Sequence, residues 1–148
     1  MPLRKAEDFV AQASKVFRRA PVNRESIQGW VAISAAKTKD SMNAQNSTST
    51  RLGAAYDSVF NLSLALLASR GWRCTSADGH HAQALESACA YAGITQGAFD
   101  EMDAVRDVRN SQYNGVPPSM DDVRLALASM HRLVPQLMAC LQDALRKG

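Results

Sequence analysis

Histidine and cysteine are scarce in this sequence, with three of each among 148 residues. Cys74, Cys89 and Cys140 are odd in number and far apart. This argues against a disulfide framework and a zinc knuckle and favours reduced, mostly buried thiols. Gly93 and Gly97 form no phosphate-binding loop, and no serine or cysteine sits in a nucleophile elbow. No metal or cofactor is therefore expected. Charge of one sign is also lacking: 17 basic against 14 acidic residues leave a net +3. Such a balance permits contact with a nucleic acid without calling for it. No continuous apolar run approaches 18 residues, so no membrane span or membrane partner is expected. "MPLRKAEDFVAQASKVFRRA" is too charged for the core of a signal peptide, which points to the cytoplasm. Alternating β-branched runs are missing as well, and nothing reads as a strand.

What the sequence has is helix formers at helical spacing. With 46% apolar and 21% charged residues it fits one globular domain spanning 1–148. Residues 1–21 read as an N-terminal amphipathic helix, from about Leu3 to Arg19 and stopped by Pro21, and 22–148 as a bundle. Asn23 is the N-cap candidate of a helix carrying Ile27, Trp30, Val31 and Ser34 on one side. "NAQNSTST", at 43–50, is the clearest loop. After it, Leu52, Tyr56, Val59, Phe60, Leu62, Ser63, Leu66 and Leu67 make a helix apolar over much of its circumference, with Gly71 just past its end. A short helix runs from His80 to Tyr91, with Asp78 as cap candidate and Gly93 as stop. Thr95 can cap the next helix, which ends near Gly115. Ser119 and Asp122 form a capping box for the last one, which contains Pro135 and should kink there. The expected fold is an all-α bundle of four main helices plus shorter ones.

One polar stretch stands out, "RDVRNSQYNG" at 106–115. At about 100° per residue, Arg106, Arg109, Asn110 and Tyr113 continue the side defined by Phe99 and Met102. Asp100, Asp103 and Asp107 fall on another side. Two explanations fit this placement. Arg106 and Arg109 could emerge at the bundle rim, pair with carboxylates and suit the helix C-terminus. Alternatively, two guanidinium forks, an amide and a phenol converge on phosphate or another anion. His80 and His81, at a helix start, are the imidazoles available to such a site. Trp30 and Trp72 read as core or rim aromatics, with RNA stacking open to Trp72 beside Arg70 and Arg73. His131 reads as a packing or rim residue.

Arg51 with Ala55-Tyr56, then "GHH" at 79–81, then Arg109-Asn110 followed by Tyr113 and Gly115, come in an order that resembles HEPN domains. These are small helical bundles of prokaryotic toxin–antitoxin and defence systems. The resemblance covers roughly residues 22 to 145. It implies a homodimer whose arginine motifs face one cleft. In the ribonucleases of that family, Arg stabilises developing charge and a motif His assists attack of a ribose 2′-hydroxyl on the adjacent phosphate, without metal. Arg109 and Asn110 match the first part of the motif. Tyr113 stands where the His would be, and a phenol is a poor base at neutral pH. Two functions follow as expectations. One is RNA binding and metal-independent cleavage using Arg109, Tyr113, His80 and His81, with Arg106 and Asn110 holding ligand. The other is a catalytically silent dimer that pairs with a partner such as a nucleotidyltransferase-type antitoxin.

Overall fold

The computed structural model describes residues 2–147. It is an all-α bundle of six helices with one small β-ribbon: α1 Ala6–Ala11, β1 Phe17–Arg19, α2 Arg24–Met42, α3 Thr48–Ser69, β2 Trp72–Cys74, α4 His80–Tyr91, α5 Gln96–Ser111 and α6 Met120–Lys147, with a 3₁₀ turn at Gln112–Asn114 after α5.

The helix starts follow the side chains that cap them. Asn23 Oδ1 accepts from the Ser26 amide at 3.1 Å, and Ser47 Oγ accepts from the Thr50 amide at 3.1 Å. Thr95 caps α5 in the same way, and Ser119 with Asp122 forms a reciprocal box at 2.9 and 3.0 Å. Asp78 does not cap α4. Gly79, in the left-handed region at φ 81°, occupies that position without a side-chain cap. Thr75 secures the approach instead, donating to the Lys15 carbonyl at 2.7 Å and accepting from the Ala77 amide at 3.2 Å.

α3 is the axis, packed by α2, α6, α4 and α5. Leu52, Tyr56, Val59, Leu62 and Leu66 bury completely or nearly so along it. By length and composition α3 could cross a membrane, yet 67% of its apolar window is buried inside the bundle. α6 lays Val123, Ala126, Met130, Leu133, Leu137 and Leu141 against this core and continues through Pro135, which faces solvent. His131 is also exposed, at the rim of the bundle.

The N-terminal segment is the main correction. The expected helix from Leu3 to Arg19 ends at Ala11, and Phe17–Arg19 is a strand paired antiparallel with Trp72–Cys74. α1 closes by bonds from Ala13 N to the Val10 carbonyl and from Ser14 N to the Phe9 carbonyl, both 3.0 Å, with Ala13 at φ 67°. That closure normally takes glycine, and a left-handed alanine costs about 1–2 kcal/mol. The return comes from packing: Phe9, Val16, Phe17 and Trp72 gather with Leu67 and Ala84 in a second small core. Phe9, Val16 and Phe17 are spaced to share a helical face too, so the spacing suits both structures. Pairing with a strand 55 residues away decides between them, by tertiary override of local pattern.

Candidate functional site

Along α5, Phe99, Met102 and Val105 are buried, so the inward stripe is where the spacing puts it. Arg106 and Arg109 extend it to the rim, half-buried and ion-paired. Arg106 Nε lies 3.0 Å from Asp103 Oδ1 and its Nη2 3.5 Å from Asp107. Asp103 therefore does not keep to another side of the helix; residues three apart are surface neighbours. Burial is the largest single influence on the Arg106 charge and works against it, but the hydrogen bond to Asp103 and the negative charges of Asp103 and Asp107 together outweigh it and raise the pKa. Arg109 reaches across to α3, its Nη2 3.4 Å from Asp57 Oδ1 and its guanidinium 5.3 Å from the Tyr56 ring centre. Lys37 approaches the other oxygen of Asp57 at 3.9 Å. Asp57 takes only part of the Arg109 fork, which carries five donors.

Tyr113 departs from the stripe. α5 ends at Ser111, and the 3₁₀ turn swings the phenol out until it is 89% exposed. Asn110 is exposed beside it.

The start of α4 brings in both histidines. His81 stacks on Phe60 with ring centres 4.3 Å apart, and its Nδ1 lies 3.2 Å from the Tyr56 hydroxyl. Burial first, then the neighbouring His80 and Arg109, lower its pKa and keep the ring neutral. Burial also holds the Tyr56 phenol protonated, well above its ordinary range. His80 Nδ1 lies 3.1 Å from the Ala77 carbonyl. A carbonyl only accepts, so Nδ1 of a neutral His80 carries the proton and Nε2 presents a bare lone pair. The two imidazole centres are 4.4 Å apart.

All six residues predicted for a site, His80, His81, Arg106, Arg109, Asn110 and Tyr113, line one open cavity of about 460 Å³. Beyond Arg109 and Tyr113 a second cavity of about 510 Å³ continues past Lys37, Thr50, Gly53 and Asp57. Tyr56, Asp57 and Phe60 are the supporting residues that the sequence did not single out as site residues. A buried phenol followed by a carboxylate in an otherwise apolar helix was the available signal. Arg51, part of the family-like pattern, is structural: its Nε donates to the Ser41 carbonyl at 2.9 Å and ties α2 to α3.

Among the described residues no group of three or more His, Cys, Asp or Glu could hold a metal ion. Cys74, Cys89 and Cys140 are unpaired thiols. Burial pushes Cys74 up to about 11 and Cys89 up to about 12, so neither is a ready nucleophile. Trp72 is buried, with Arg19 over its ring at 3.8 Å and Phe17 against its edge, and shows only a small part of its surface to a cavity. Comparison with family models, curated proteins and solved structures finds no match to this chain.

Proposed function

We propose that the chain is a HEPN-like protein of a toxin–antitoxin or defence system that binds single-stranded RNA in the His80–Arg109 cavity and cleaves it without metal. The observation that carries this is the meeting of two imidazoles from the start of α4 with two guanidinium groups from the end of α5. Residues about thirty positions apart supply imidazole nitrogen and fixed positive charge at one cavity. The proton-transfer role left vacant by Tyr113 falls to His80. Its bare Nε2 takes the proton of a ribose 2′-hydroxyl as that oxygen bonds to phosphorus. The bond from phosphorus to the 5′-oxygen breaks, and His80 passes the proton to that oxygen. The products are a 2′,3′-cyclic phosphate and a 5′-hydroxyl end. Arg109, helped by Arg106, stabilises the charge that develops on the phosphoryl oxygens. Tyr113, free of intramolecular packing, offers its ring to a base. In the homodimer that the resemblance implies, two such cavities share one cleft.

The test is incubation of labelled total RNA in EDTA with wild type, Arg109→Ala and His80→Asn. Cleavage by wild type alone, leaving cyclic phosphate ends, supports the proposal. Equal background decay with all three refutes catalysis. One observation favours the silent interaction module: Tyr113, Val116 and Met120 are 89%, 55% and 42% exposed within eight residues of chain. A patch of that kind suits a protein partner such as a nucleotidyltransferase-type antitoxin.

A further inference from the structure

The β-ribbon carries an arrangement that its own stability does not explain. Arg18 and Arg73 are direct cross-strand partners, so their side chains rise from the same face of the ribbon. Like charges placed opposite one another destabilise a strand pair. Among the described residues neither has a carboxylate within ion-pair distance. The guanidinium of Arg73 instead lies 4.8 Å from the ring centre of Trp30, which is only partly buried.

These groups enclose a cavity of about 380 Å³, with Arg18, Arg73, Trp30 and Phe60 in its lining. A volume of that size lies within the range of ligand pockets, roughly 300–1,000 Å³. Ser76 and His80 line it too, and the same two residues line the His80–Arg109 cavity. The two spaces therefore adjoin along the edge of His80. One is rimmed by charge and imidazole, the other by aromatic rings and two arginines without a carboxylate partner, Arg73 lying over Trp30.

We infer that the ribbon cavity is a nucleotide subsite of an RNA groove, in which Trp30 and Phe60 receive a base and Arg18 and Arg73 hold the phosphate attached to it. This rests on the proposed RNA function and extends it: the strand passes from Tyr113, past His80, to the ribbon. Alternation of aromatic platforms with cationic groups is what sequence-tolerant single-strand binding requires. It also accounts for the opposed arginines, since a phosphate between them removes the repulsion that the free protein tolerates. The stacking role that the sequence suggested for Trp72 thus passes to Trp30, which keeps an exposed part.

The test measures anisotropy of a fluorescein-labelled single-stranded RNA 12-mer bearing 2′-O-methyl riboses, so that binding is read without cleavage. Wild type, Arg18→Glu and Arg109→Ala are compared across salt concentrations, and each variant is melted. Arg18→Glu should bind at least about fivefold more weakly, with the salt slope reduced by about 0.7 because one phosphate is no longer neutralised. Its melting temperature should not fall, because the new carboxylate faces Arg73 and relieves the like-charge pair. That combination of weaker binding and retained stability is not expected of a residue with a merely structural role. Arg18→Gln gives the same comparison if the glutamate variant does not fold. Wild-type affinity in Arg18→Glu with weakened binding in Arg109→Ala would refute the subsite and leave the central site standing. Weakened Arg18→Glu with an unaffected Arg109→Ala would assign RNA to the ribbon and remove the central site. No binding by wild type would overturn both.

Discussion

The contact between Tyr56 and His81 joins the bundle core to the candidate site, and Tyr56→Phe isolates it. The substitution deletes one oxygen and leaves the ring, so the stack on Phe60 at 5.9 Å and the Arg109 contact at 5.3 Å survive. What goes is the hydrogen bond to His81 Nδ1. A net intramolecular hydrogen bond is worth about 0.5–1.5 kcal/mol, and an abandoned partner costs more when buried. His81 is half-buried and can turn toward water, so the loss should lie near 1 kcal/mol. For a chain of this size that lowers the melting temperature by about 3 °C. Calorimetry on Tyr56→Phe, His81→Phe and the double variant measures the coupling, expected at about 0.5–1.5 kcal/mol. Additive losses, with no coupling, would mean that the 3.2 Å contact holds nothing in place and that His81 is positioned by stacking alone.

Three further outcomes follow from the same geometry. The folded pKa of His81 lies below its unfolded value of about 6.5, so the unfolded chain binds the proton more readily. The stability gained from a neutral His81 is full above pH 6.5 or so and is lost as pH falls below it; thermal melts should show wild type losing more than His81→Phe between pH 7 and 5. Asp57→Asn removes two partly exposed ion pairs, to Arg109 and Lys37, each worth about 0–1 kcal/mol. It should cost little stability while freeing Arg109, and RNA titration should show tighter binding than wild type; weaker binding would mean that Asp57 orients the guanidinium. Ser87 Oγ is buried without a hydrogen-bond partner, so Ser87→Ala should be neutral or stabilising by up to about 1 kcal/mol in denaturant unfolding.

Where a helix carries its own boundary chemistry, the sequence states it openly. Asn23, Thr95 and the Ser119–Asp122 box mark starts that depend on residues three positions apart, and α4 spans His80–Tyr91 as expected, stopped before Gly93, although Gly79 and not Asp78 occupies its cap. The ribbon was hidden because its two strands have three residues each and are paired by distant chain. Ala13 gave no warning of a turn, since alanine is the strongest helix former yet sits here at positive φ. At the site, periodicity placed Arg106 and Arg109 correctly on the inward side. It failed for Tyr113 because the 100° step applies only while the helix lasts, and α5 stops two residues earlier. The ion pair of Arg109 with Asp57 lies between helices and is beyond any reading of one helix alone.

The correction at the N-terminus bears directly on the site. A continuous helix to Arg19 would leave Trp72–Cys74 without a strand partner and the segment before α4 without its anchor. In the structure, the Thr75 amide bonds to the Val16 carbonyl at 2.7 Å and the Thr75 hydroxyl to the Lys15 carbonyl at 2.7 Å. Those two bonds fix the loop whose Ala77 carbonyl orients His80. Ser14 further reaches α4 through Gln83, and Tyr91 at the other end of α4 hydrogen-bonds Glu7 of α1. α4 is thus held at both ends by the N-terminal segment and along its length by α3. α4 joins both cores, with Ala84 in the second and Leu85, Ala88 and Cys89 in the first, and His81 stacks on Phe60, which packs against both. The cavity between imidazoles and guanidinium groups is therefore only as well defined as the packing of one core on the other. Leu67 belongs to the second core and Leu66, its neighbour on α3, to the first. That single helix, buried on both sides, sets the distance between base and charge.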